Sequence, residues 1–153
     1  MAKLPYRKIL VPVDGSATSM KGMREAIRLA KAGGARVVLL HVVDEFVAFS
    51  GMEISGGFVQ ELIEGLVSGG RRILEKARRD AARLGVKAQV VLRERVGGPA
   101  AYEIVRQAKK NGCDLIVIGT HGRRGMRRLA LGSDAELVVR NSSVPVLLVR
   151  AAR

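Results

Sequence analysis

Five short apolar runs rich in Val, Ile and Leu constrain this chain more than any other feature. They are Lys8-Ile-Leu-Val-Pro-Val13, Arg36-Val-Val-Leu-Leu-His-Val-Val43, Lys87-Ala-Gln-Val-Val-Leu92, Asp114-Leu-Ile-Val-Ile118 and Val144-Pro-Val-Leu-Leu-Val149. The first, second, fourth and fifth are nearly continuous rather than alternating. Strands covered on both faces read this way, and such strands belong to a parallel sheet.

Helical periodicity fills the gaps between the runs. Met20, Met23, Ile27 and Ala30 fall on one helical face, with Ser16 or Ser19 as the cap and Gly33-Gly34 as the stop. A longer amphipathic stretch runs from Val59 to Leu84, with Leu62, Ile63, Leu66, Ile73, Leu74, Ala77 and Ala81 among its apolar positions. Gly69-Gly70 inside it predicts a kink or break. Pro99 opens a third helix, with Ala100, Ile104, Val105 and Ala108 inward, and a short fourth helix follows Ser133. Strand and helix alternate throughout, so the expected class is α/β, a three-layer domain with right-handed crossovers. At 153 residues, with no repeat and no linker, one domain over 1–153 is expected.

Composition narrows the function classes. Hydrophobic residues make up 48% of the chain, enough for a buried core. The one cysteine, Cys113, rules out an intrachain disulfide and cysteine-rich zinc spacing, and it reads as a small buried residue. The apolar run near the N-terminus is too short for a signal peptide or a membrane span. A cytoplasmic setting and no membrane partner are the expectation. The net charge of +13 favours anionic ligands. Aromatic residues are only 3% and no Trp is present, so base-stacking platforms are poorly supplied and nucleic acid is disfavoured as a partner. The arginines between Arg71 and Arg83 alternate with Glu75 and Asp80, and their default reading is a solvated, partly paired face.

In an open parallel sheet, ligands bind beyond the carboxyl ends of the strands. Three segments land there: Val13-Asp14-Gly15-Ser16, His41-Val42-Val43-Asp44, and the connection from Gly119 to Ser133. The last is long for a strand-to-helix connection, and long connections in compact domains carry function or disorder. Gly119, Gly122 and Gly132 let backbone approach phosphate oxygens, and Gly132-Ser133 leads into a helix whose N–H groups attract anions. Arg123, Arg124, Arg127 and Arg128 add positive charge suited to phosphate.

The spacing G-x2-G-x9-G-S, read at Gly119, Gly122, Gly132 and Ser133, resembles the ATP-binding motif of the universal stress protein family. The Val-Asp-Gly-Ser turn, Leu40-His41-Val42-Val43 and Ser143-Val-Pro-Val-Leu-Leu-Val149 resemble the same family, in order and over essentially the whole chain. The resemblance implies a five-stranded parallel sheet of order 3-2-1-4-5 and a homodimer paired through the last strand, Val144 to Val149. It implies that Asp14 meets the ribose or adenine side, that Val42 meets adenine through its backbone, and that Gly119, Gly122, Gly132 and Ser133 hold phosphates. Pro12, Val13, Thr120, His121, Arg123, Gly125 and Met126 complete the candidate set. The expected ligand is an adenine nucleotide, ATP, with magnesium arriving on its phosphates. Whether Met126 packs against nucleotide or core stays open.

Other nucleotide motifs are missing. The chain lacks G-x4-G-K-[ST] and lacks G-x-G-x-x-G after the first strand. It also lacks the acidic cluster of a response-regulator receiver, since its third strand ends in Arg93-Glu94-Arg95. His121 has no nucleophile or paired carboxylate beside it and reads as loop-ordering, while His41 reads as a satisfied core histidine. The leading function is thus a nucleotide-binding regulatory protein with no catalytic residue assigned. The alternatives are a slow ATPase or self-phosphorylating enzyme acting at Ser133 or Thr120, and a charge-driven binder of nucleic acid or acidic partners.

Overall fold

The computed structural model describes residues 5–49, 56–121 and 131–150. The elements run β1 (Lys8–Pro12), α1 (Ala17–Gly33), β2 (Arg36–Asp44), α2 (Phe46–Phe49), α3 (Gly56–Arg83), β3 (Ala88–Arg95), α4 (Ala100–Lys110), β4 (Leu115–Gly119), α5 (Ser133–Asn141) and β5 (Val146–Val149). Every strand pairing is parallel, and the sheet order is β3-β2-β1-β4-β5, as the family resemblance implies.

Strand periodicity splits the core into two layers. Ile9, Val11, Val37, Leu39, Leu115 and Val117 face α1 and α3, where Met23, Ile27, Leu74 and Ala77 are buried. Leu10, Val38, Leu40, Ile116 and Ile118 face α4 and α5, where Ile104, Ala108 and Val138 are buried. The continuous apolar runs therefore supply both layers at once, which is why they do not alternate.

Four features differ from the sequence reading. α3 is one unbroken helix through Gly69-Gly70, with no break where the glycines predict one. A Cβ at Gly70 would lie 2.6 Å from Cδ2 of His41 and 2.9 Å from Cδ1 of Leu92. The glycine thus permits close helix-to-sheet approach rather than a kink. β3 continues to Arg95 because Arg93, Glu94 and Arg95 stay in register with Val42, Val43 and Asp44. Charge there fits its place on the sheet edge. β5 starts at Val146, since the N–H of Val144 donates to Ser142 Oγ at 3.1 Å and Pro145 has no N–H. The short helix α2 had no periodic signal of its own.

Both ends of α1 and the start of α4 match, while α3 begins at Gly56 rather than Val59. Ser16 caps α1, its hydroxyl accepting from Ser19 N at 3.1 Å, and Gly34 closes the helix at φ 72°. Pro99 caps α4 without a side-chain bond, and Asp134 of α5 supplies one instead, its carboxylate accepting from Ala101 N at 3.0 Å. Among the described residues no helix is long and apolar enough to cross a membrane.

Candidate functional site

β1 and β4 lie side by side, with Ile9 opposite Leu115. β1 leads into α1 on one layer, while β4 leads towards α5 on the other. Their carboxyl ends are therefore the switch point of the sheet, where a crevice opens between diverging connections. Pro12, Val13, Asp14, Gly119, Thr120, His121, Gly132 and Ser133 all stand at or next to these ends. Gly122, Arg123, Gly125 and Met126 lie outside the described residues, as do Arg124, Arg127 and Arg128.

The β1 side is a self-bonded turn. Val13 N donates to Leu40 O at 2.8 Å, which prolongs the strand pairing by one residue. Asp14 Oδ1 accepts from Ser16 N at 2.8 Å, and Gly15 sits at φ 81°, a conformation that suits glycine. Asp14 N donates to Ser19 Oγ at 3.3 Å, and the Ser19 hydroxyl donates to Ser16 O at 3.1 Å. The carboxylate of Asp14 is thereby fixed in direction.

His41 braces this turn from β2. Its Nδ1 lies 2.7 Å from Val13 O, and the ring is buried. A carbonyl only accepts, so Nδ1 carries the proton. The core role expected for His41 is what the geometry shows. Val42, next in the strand, is half-buried and packs on the α4 and α5 layer.

On the β4 side, Gly119 is required by α1. A Cβ there would lie 2.9 Å from Thr18 Cγ2 and 3.1 Å from Thr18 O. Thr120 is buried, and its Oγ1 lies 3.0 Å from His121 Nδ1. Gly132 N donates to Thr120 O at 2.8 Å, so the connection leaves the strand and returns to it within one peptide bond's reach. Gly132 also caps α5 in an extended conformation, and its missing side chain avoids Thr120 O, which a Cβ would approach to 2.9 Å. The ends of the glycine-rich connection are thus clasped at the start of a helix, where the first N–H groups lack intrahelical partners.

Beside the turn, the Asp14–Ser16 segment and α3 enclose an open cleft of about 610 Å³ floored by Met20 and Ile73. Arg72 and Lys76 line it. The sequence places Arg72 on a solvated face, and its side chain is exposed; Lys76 carries no signal of its own. No local signal could bring them to Asp14, which is more than fifty residues away in the chain. Among the described residues no group of three or more His, Cys, Asp or Glu side chains could hold a metal ion.

The comparisons with known proteins agree with this architecture. The profile of the universal stress protein family matches residues 5–150. Universal stress protein MJ0531 of Methanocaldococcus jannaschii is 40% identical over 146 residues, spanning 95% of this chain and 82% of its own length. The solved structure of MJ0577 from the same organism superposes with a TM-score of 0.84 at 29% identity, covering 98% of this chain and 99% of that one. A universal stress protein of Archaeoglobus fulgidus, solved in complex with dAMP, shares the fold at 23% identity with a TM-score of 0.65, covering 95% and 99% of the two chains.

Proposed function

Because the chain belongs to the universal stress protein family, we propose that it is a nucleotide-binding regulatory protein that takes an adenine nucleotide at the carboxyl ends of β1, β2 and β4. ATP is the nucleotide of this reading, with magnesium carried on its phosphates. The observation that carries the proposal is the clasp of Gly132 N on Thr120 O at the start of α5. It presents the helix start beside Gly119, Thr120 and His121, a backbone arrangement suited to phosphate oxygens. Ser133 adds a hydroxyl donor at the first helical position. Gly122, Arg123, Gly125 and Met126 belong to the same connection and complete the candidate set. Asp14, held by Ser16 N, has the fixed carboxylate that a ribose hydroxyl needs, with Pro12 and Val13 leading up to it. Val42 offers backbone groups to the base. The dAMP complex of the Archaeoglobus fulgidus protein supports an adenine nucleotide as the ligand class.

The protein acts as a homodimer joined through β5. In support, β5 closes one edge of the sheet, and its residues Val146, Leu147, Leu148 and Val149 are all apolar and half-buried. An apolar edge strand without charges invites a second strand.

Calorimetric titration with Mg-ATP, AMP and Mg-GTP tests the proposal, on wild type, Ser133→Ala and Asp14→Ala. Gly132 variants are a poor choice, since its Cβ collides with backbone. Adenine-selective binding is expected. Ser133→Ala should weaken Mg-ATP about tenfold, the loss of roughly one charge-assisted hydrogen bond. Folded, nucleotide-free protein that binds none of the three would overturn it.

A further inference from the structure

The cleft between the Asp14–Ser16 turn and α3 is not part of the glycine-rich connection. Arg72 and Lys76 stand one helical turn apart, so their charged ends share a face. The nearby acids are engaged elsewhere: Glu75 pairs with Arg78 at 2.8 Å, Asp80 pairs with Arg83 at 3.4 Å, and Asp14, which lines the same cleft, accepts from Ser16 N at 2.8 Å. Among the described residues neither Arg72 nor Lys76 has an acidic partner, and Arg72 Nη1 donates to Ser68 Oγ at 3.1 Å. Like charges at this spacing repel, and a bound anion relieves that repulsion.

Gly69 points the same way. A Cβ at Gly69 would meet nothing nearer than Arg72 Nη2 at 3.8 Å, so packing does not demand glycine. Glycine in a helix interior costs about 1 kcal/mol relative to alanine. Here it leaves the mouth of the cleft open beside the guanidinium. Gly70 seats α3 against His41 and so brings Arg72 and Lys76 over the turn. The opposite wall is the capped start of the 17-residue helix α1, which is itself electropositive. Met20 is buried and Ile73 half-buried, so the cleft has an apolar floor beneath the exposed side chains of Arg72 and Lys76.

The geometry points to a second anion subsite, in which Arg72 and Lys76 hold a phosphate group over Met20 and Ile73, separate from the phosphates of the glycine-rich connection. The phosphate is either free inorganic phosphate or a second phosphate on the sugar of the bound nucleotide. The latter form rests on the proposed function, in which Asp14 stands on the ribose side.

The test is calorimetric titration of the full chain with inorganic phosphate, AMP and adenosine 3′,5′-bisphosphate. Wild type is compared with R72A/K76A, and thermal unfolding confirms that both are folded. If the nucleotide supplies the phosphate, the bisphosphate binds wild type at least tenfold tighter than AMP. The double variant loses that advantage and keeps its AMP affinity. If free phosphate is the source, inorganic phosphate binding falls at least tenfold in the double variant while AMP and the bisphosphate bind alike. Phosphate binding that depends on Arg72 and Lys76 in a protein that binds no nucleotide would sustain the subsite and defeat the nucleotide proposal. The subsite is overturned if R72A/K76A binds phosphate and the bisphosphate as wild type does. It is equally overturned if wild type binds no phosphate and does not prefer the bisphosphate to AMP.

Discussion

The imidazole Nδ1 of His41 lies 2.7 Å from the carbonyl oxygen of Val13, tying β2 to the backbone one residue before Asp14. The bond is buried, so its loss strands a carbonyl away from water. His41→Leu should therefore lower the unfolding free energy by about 1–3 kcal/mol. Urea denaturation measures it, and a variant as stable as wild type would mean that Val13 O finds another donor.

Gly70 and Gly65 lie in the same helix and should respond to alanine with opposite signs. A Cβ at Gly65 meets nothing within 4 Å, so Gly65→Ala should stabilise by about 0.5–1 kcal/mol through helix propensity. Gly70→Ala drives a methyl into His41 and Leu92, and overpacking of this kind costs about 1–3 kcal/mol. Equal shifts in the two midpoints would contradict the packing described for α3.

The expected kink shows what was legible in the sequence and what was not. The alternation of strands and helices and the caps of α1 follow from local pattern, because Ser16 and Gly34 act on their own neighbours, whereas the strand order comes from the family resemblance. The meaning of Gly70 depends on His41, which sits on another element. The extension of β3 through Arg93-Glu94-Arg95 likewise depends on pairing with β2. On the site, the turn at Asp14 and the glycine spacing are readable because each is a short contiguous segment. The cleft with Arg72 and Lys76 is not, since it exists only after α3 folds back over β1.

Asp134→Ala should cost about 1 kcal/mol, the usual worth of a helix cap. Its carboxylate serves Ala101 N in the neighbouring helix α4, so the loss should appear as faster amide exchange at the start of α4. Exchange altered only within α5 would refute the cross-helix cap.

Burial pushes the Cys113 thiol up to about 11 from 9.0, with Lys8 opposing the shift and Asp114 adding to it. The folded state thus holds this proton more tightly than the unfolded state. The stability it contributes is complete below about pH 9 and is lost as pH rises from there to about 11. A neutral thiol that is only 5% exposed should also resist iodoacetamide at pH 8 until urea unfolds the chain. Rapid alkylation of native protein would count against this burial.

Thr120 closes the glycine-rich connection with its carbonyl, through Gly132 N at 2.8 Å, and holds the outermost strand with its amide, through Val149 O at 2.9 Å. The residue works as a hinge pin between two bodies. A load applied along the β5 edge passes through the same residue that holds Gly132 at the start of α5, so edge strand and helix start are mechanically in series. In the language of hydrogen exchange, the amides of Thr120 and Gly132 are expected to open together.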